Sequence, residues 1–525
     1  MSTQQFDVAD ESRSSTTESS PPEQVGEKLA RNLKLWQVVA ISIGVMAPSF
    51  AITSQPQFAA ASVGRAAPLS YLLALVGVLT VAYGLGRLSQ RMHHPGAVYG
   101  LVGASVGPRT GVVAAWALAG TYFFLVLLCS MAVGIFGCDL LENIGVWHDP
   151  PSWAAYLLAV VTVGLSTWLG IVPARRGTSI VVVCEAITVL LITLAAAIVL
   201  VRLASGTAPT GNHIDFHVFF PEPGSSPSAL FVGIVMGFLS FAGFEAAAVA
   251  GAEAENPRKN IPRAIVGTTV VIGLFYVFIA ATAMMGFGTS PGGVDKFTKS
   301  PSLMGDLGTS YVGHGFGNLI TVGTIISAAS CALACAVGAA RIIYTLAFDA
   351  TEGKSALASV STKYATPWSA TAAVGVTALA ALALFGWGMH AGAQNVFDWT
   401  ATIGTLLLLV VYLLATVGAL RVLFFNGPPL VRRWEIVIPL MAMAILVFTL
   451  YKNIHPTGTP IGEPITAVIW ILLAALPVLI MPAAARKLGK AIRDHDGMHV
   501  VPTSKHPVPV PGAASSSNGE AFQAV

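Results

Sequence analysis

The run SIGVMAPSFAITSQPQF, residues 42–58, is apolar enough to lie in a membrane and yet cannot form one unbroken helix. Pro48 has no N–H to give, and its ring collides with the carbonyl of Gly44 four residues back, so the helix should kink or open there, the plainer alternative being a proline kink repaired by Ser49 or a neighbouring helix. Opened backbone in hydrocarbon survives only where protein buries it or where it lines a wet cavity. A second run, GFLSFAGFEAAAVAGAEAENP, residues 237–257, breaks differently: it carries Gly237, Gly243 and Gly251, with Glu245 at mid-depth.

The surrounding sequence supplies the membrane context. Only 10% of residues are Asp, Glu, Lys or Arg, against about 25% in an ordinary globular chain. Hydrophobic residues make up 54% and the mean hydropathy is +0.73, which excludes a soluble protein. The apolar residues come in runs of about 20, enough to cross roughly 30 Å of hydrocarbon. The 28 basic residues are scattered over short loops and form no basic, aromatic-interleaved face, so nucleic-acid binding is excluded. Cys129, Cys138, Cys184, Cys331 and Cys335 all lie within or at the end of apolar segments and read as small packing side chains, not a disulfide framework.

The expected fold is an all-α membrane protein of twelve spans, near residues 36–61, 67–88, 111–137, 153–172, 178–203, 229–251, 263–288, 316–340, 367–387, 397–420, 434–453 and 463–483. An even count puts both termini on one side, and assigning them to the cytoplasm leaves 23 of the 28 basic residues inside. The transporter-like body covers 35–485, with a first half at 36–203, a second at 229–420 and two peripheral spans at 434–483. Residues 1–34 and 494–525 are low in apolar pattern and read as disordered cytoplasmic tails. The stretch 91–109 is too polar to cross and predicts a short helix at the inner surface; its His93 and His94 lack the spacing of metal ligands.

The broken spans are numbers one and six, corresponding positions if spans one to five and six to ten are inverted repeats, and that pairing points to a carrier's binding site. A helix broken at mid-depth presents a half-positive and a half-negative end to one small space, which suits a zwitterion. An amino acid carboxylate would sit on N–H groups near Ala47 and Ser49. Its ammonium would face carbonyls near Val45 and near Leu239, Ser240 and Ala242, with Gly243 at the second break and Phe241 or Phe244 stacking over the guest.

On these residues the chain resembles the amino acid permease branch of the amino acid–polyamine–organocation (APC) superfamily. The resemblance rests on FAGFEAAAVAGAEAENPRKNIPRAI (241–265), AARIIYTLAFDATEGKSALASVSTKYATP (339–367) and HHPGAVYGLVGASVG (93–107), and covers roughly residues 30–485. It implies a five-plus-five inverted, LeuT-like fold with discontinuous helices one and six, alternating access and two peripheral helices. It also implies a gating or proton-linked role for Glu245. The Gly-Ser/Thr-Gly run that such permeases often show is replaced here by Ala47, Pro48 and Ser49, which leaves a plain amine or polyamine as an alternative substrate.

Glu185 and Glu245 are the acidic residues at clear mid-membrane depth, where each costs about 2.5–3.5 kcal/mol to insert. Glu245 sits where the inner half of span six begins and can cap free N–H groups. Glu185, in VVVCEAITVLLITL (181–194), has no basic neighbour in sequence and offers a carboxyl that could load and release a proton. Ser327 and Ser330 could instead coordinate sodium, although such hydroxyls more often bond the preceding turn. Asp398, beside Trp399, reads as interfacial, and Cys331 with Cys335 as packing on one helix face. The functional expectation is a carrier importing an amino acid across the cytoplasmic membrane, proton-coupled, without cofactor or metal and not an enzyme. Its partners are the small substrate and the lipid bilayer. Exchange is an alternative mode, and a non-transporting amino acid sensor is a more distant one. An enzyme would need a nucleophile and base at one depth, and a channel would need rings of charge or carbonyls.

Overall fold

The computed structural model describes residues 33–480 apart from 91–96, 173–176, 210, 222–226, 253, 352, 362, 365, 427–430 and 455–461. The expected tails at 1–34 and 494–525 fall almost wholly outside the described residues, as do His93 and His94. Among those described, regular structure is helical, with one isolated parallel bridge between Leu33 and Ala254.

The helices are α1 (Leu35–Met46), α2 (Pro48–Ser54), α3 (Pro56–Val63), α4 (Ala67–Ser89), α5 (Ala97–Ser105), α6 (Pro108–Asn143), α7 (Ser152–Ile171), α8 (Gly177–Ala204) and α9 (Pro227–Ser240). A 3-10 segment, Phe244–Ala252, follows. Then come α10 (Pro257–Phe287), α11 (Pro291–Lys299), α12 (Leu303–Tyr311), α13 (His314–Thr351), α14 (Trp368–Ala383), α15 (Ala393–Leu420), α16 (Val437–Ile454) and α17 (Gly462–Ile480). Pro48, Pro56, Pro108, Pro257 and Pro291 each open a helix, where the absent N–H would have had no intrahelical partner.

Eleven helical runs among the described residues are long and apolar enough to cross a membrane. The twelfth expected span corresponds to α17, whose apolar stretch Gly462–Leu476 is shorter. The surface-lying helix expected near 91–109 corresponds to α5. The perimeter is apolar: Leu190, Val271 and Val376 are each about two-thirds exposed, at 66%, 65% and 67%. The interior carries hydroxyls, amides and the carboxyl groups of Glu185 and Glu245. Water would drive the reverse distribution, so the solvent for this surface is lipid.

At the centre α6 packs against α13 and α15, and α4 lies along α10. Helix α1 runs between α10, α13 and the 3-10 segment, so both broken spans are clamped by long continuous helices. α17 is tied to α6 by two tryptophans. Trp116 donates its indole N–H to the Trp470 carbonyl at 2.9 Å, Trp470 returns the bond at 3.0 Å, and the rings stack at 5.3 Å.

Candidate binding site at two helix breaks

Span one breaks at Ala47, which takes the left-handed conformation (φ 43°, ψ 61°) between α1 and α2. That conformation costs a residue with a Cβ about 1–2 kcal/mol. The Pro48 ring and its missing N–H disfavour the alternative of continuing the helix. The Ala47 N–H still closes α1 on the Ile43 carbonyl at 2.9 Å, so the orphan donors begin with the first turn of α2. Both of these have found partners on other helices. Ser49 N–H donates to Glu185 Oε1 at 2.9 Å and Phe50 N–H to Ser327 Oγ at 3.3 Å. On the carbonyl side, the Cys331 thiol donates to Val45 O at 3.2 Å. The N–H groups and the carbonyl where the sequence places a zwitterion are thus engaged by the chain's own side chains in this conformation.

Span six breaks between Ser240 and Phe244. Gly243 turns the chain at φ 111°, and its N–H donates to Glu245 Oε2 at 3.0 Å. The Tyr412 hydroxyl donates to the same oxygen at 2.9 Å. The breaks touch: a Cβ on Gly243 would lie 2.7 Å from Val45 Cγ1 and 2.9 Å from Met46 N. Ser42 stitches α1 to the 3-10 segment, donating to the Phe244 carbonyl at 3.1 Å and accepting from Ala247 N–H at 3.0 Å.

On the other side of the breaks a polar chain links three elements. Ser240 Oγ bonds Gln55 Oε1 at 2.5 Å and the Tyr71 hydroxyl at 2.8 Å. Tyr276 packs its ring against Phe241 at 5.3 Å and Tyr71 at 6.3 Å, while Phe244 packs on Tyr412 at 5.3 Å. Phe231 instead meets Phe448 at 4.3 Å, on α16.

Around the breaks the buried Tyr276 hydroxyl has no hydrogen-bond partner, whereas the Ser49 hydroxyl lies against Glu185 and Glu245 also faces Tyr122. Such a group costs about 1–3 kcal/mol when left unpaired. The Tyr276 hydroxyl, beside Phe241 and Tyr71, is thus a donor and acceptor left open next to the span-six break. Ala47, Ser49, Leu239, Ser240, Phe241, Ala242 and Gly243 are all buried and Val45 half-buried. A surface concavity of about 430 Å³ lies elsewhere, lined by His213, Asp215, His217 and the neighbouring aromatic rings in the loop after α8. It shares no residue with the breaks.

Not every residue singled out by sequence converges here. Ser327 faces the break, but Ser330 bonds back to the Ser327 carbonyl at 2.8 Å. Asp398 is half-buried near the start of α15, where it accepts from Gln394 at 3.0 Å. Among the described residues no group of three or more His, Cys, Asp or Glu side chains is placed to hold a metal ion. Sequence reasoning gave Cys331 a packing role and did not single out Tyr276, Tyr412 or Ser42. The periodic signal for Cys331 was present: Thr324, Ser327, Cys331 and Cys335 recur at helical spacing on one face of α13.

A family model described as "Amino acid permease" matches residues 33–481. Among curated proteins, the chain is similar to the branched-chain amino acid permease BcaP of Lactococcus lactis, 25% identical over 48% of this chain and 55% of that protein. BcaP of Bacillus subtilis is 23% identical over 66% of this chain and 73% of its own length. The low-affinity putrescine importer PlaP of Escherichia coli is 23% identical over 68% and 75% respectively. The match thus spans little more than half the length of the Lactococcus protein.

Proposed function

The chain belongs to the amino acid permease family, and from that membership we propose that it is a secondary carrier importing an amino acid across the cytoplasmic membrane by alternating access. In this reading spans one to five and six to ten form inverted repeats, both termini are cytoplasmic, and the two breaks hold the substrate. The supporting observation is the meeting of the breaks, Gly243 against Val45 and Met46, beside the buried and unpartnered Tyr276 hydroxyl.

Glu185 gives this site a way to couple protons to substrate. An ionised carboxylate on Ser49 N–H occupies the pole that the substrate's carboxylate needs. Protonation weakens that bond, because charge-assisted hydrogen bonds are roughly twice as strong as neutral ones. A proton on Glu185 therefore frees the N–H pole for the substrate, and the two bind together. Glu245, held by Gly243 N–H and Tyr412, lies at the inner half of span six, where it governs the closing of that half on span one.

A second reading is favoured by the same bond. A substrate without a carboxylate, such as a simple amine or diamine, need not displace Glu185 at all, and a putrescine importer is among the relatives. Uptake of labelled leucine and of labelled putrescine into proteoliposomes, with and without an imposed gradient that is acid outside, separates the readings. Gradient-driven leucine accumulation supports the first and putrescine accumulation the second. Binding of either without uptake would point to a sensor.

A further inference from the structure

One face of α13 addresses both poles of the span-one break. Ser327 accepts the Phe50 N–H at 3.3 Å, and Cys331, one turn further on, donates its thiol to Val45 O at 3.2 Å. Val45 O is a carbonyl that an ammonium guest would need. We propose that the Cys331 thiol stands in for the substrate's amino group, donating to Val45 O while the site is empty and yielding it when substrate binds, so that Cys331 is a specificity-determining residue. This inference rests on the carrier reading above.

The chemistry favours a thiol in that role. An S–H donor is weak, so it keeps the carbonyl paired without competing strongly against a charged N–H donor. Once displaced it need not be orphaned: Cys335 Sγ lies 3.9 Å away on the same helix face, within reach of a rotated Cys331. Cys129 of α6 is buried beside Cys331 and adds a third polarisable sulfur. The unpartnered hydroxyl of Tyr276, whose ring packs on Phe241 at the other break, leaves a polar group open to a guest.

The test uses the full chain in lipid nanodiscs and two readouts. First, an infrared difference spectrum between the substrate-free protein and Cys331→Ala should show a hydrogen-bonded S–H stretch for Cys331. An S–H stretch at the free-thiol position would overturn the proposal without reference to transport. Second, a thermal-shift panel of the amino acids and putrescine selects the tightest ligand, whose affinity is then measured for the variants. Cys331→Ala leaves Val45 O unguarded in the empty state and should bind the ligand about threefold more tightly, while Cys331→Ser, with a stronger donor, should bind it about threefold more weakly. Cys138→Ala, remote on α6, should match the parent chain. Weaker binding by Cys331→Ala, or no change in either variant, would reduce Cys331 to packing and leave the carrier reading standing. Failure of every panel member to bind the parent chain would refute the carrier reading and this inference with it.

Discussion

Replacing Gly243 by alanine should force the two breaks apart. The new Cβ would lie 2.7 Å from Val45 Cγ1 and 2.9 Å from Met46 N. The valine methyl can rotate away, but the Met46 nitrogen is backbone and cannot yield without moving α1. Holding alanine at a φ of 111° adds strain of about 1–3 kcal/mol. Overpacking a closed contact adds about 1–3 kcal/mol more. The expected total is roughly 2–6 kcal/mol against the closed state. Gly44 supplies the control, since a Cβ there meets nothing within 4 Å. Gly44→Ala in the helical part of α1 should be neutral or stabilise by up to about 1 kcal/mol. The assay is the thermal midpoint of each purified variant beside its initial rate of uptake. Gly243→Ala should lose both stability and transport, and Gly44→Ala neither. Parental stability and uptake in Gly243→Ala would refute the claim that the breaks meet at this residue.

Other perturbations probe separate parts of the site. Glu185→Gln keeps an acceptor for Ser49 N–H but cannot be ionised, so pH-driven accumulation should vanish while exchange persists; unchanged accumulation would remove Glu185 from coupling. Glu245→Gln weakens the bonds from Gly243 N–H and Tyr412 and should lower uptake well beyond any fall in surface expression, whereas parallel losses would leave the residue structural. Ala47→Leu places bulk beside the break and should exclude substrate from protein that still reaches the membrane, and normal uptake would mean the pocket lies elsewhere. Trp470→Phe keeps the ring stack but loses the indole bond to the Trp116 carbonyl, so it should destabilise by about 0.6–1 kcal/mol with little effect on substrate affinity, as read by thermal unfolding and binding.

What was legible in the sequence was local. Pro48 marks where α1 is weakest, because its ring crowds the Gly44 carbonyl and it gives no N–H, and the chain turns at the preceding residue, Ala47. Gly243 and Glu245 lie two residues apart, so the N–H and the carboxylate that pair there belong to one short segment. The bonds that close span one are of another kind. Glu185 reaches Ser49 across 136 residues, and Cys331 reaches Val45 across 286. Periodicity shows which face a helix buries but not which turn of a neighbouring helix it meets. The hydroxyl and thiol row of α13 could therefore be seen, while its register against the break could not. Span count suffers differently: α17 is a shorter apolar stretch than the other spans, and its place against the bundle depends on the Trp116–Trp470 contact, which composition does not encode.

Where the guest sits decides whether the two breaks form the binding site. Cryo-electron microscopy of the protein in nanodiscs, with the tightest ligand from the panel, measures this directly. The ligand should lie between Val45, Ala47 and Ser49 on one side and Ser240 to Gly243 on the other, with the Tyr276 hydroxyl newly paired. Helices running unbroken through Pro48 and Gly243, or a ligand bound away from both breaks, would contradict this placement.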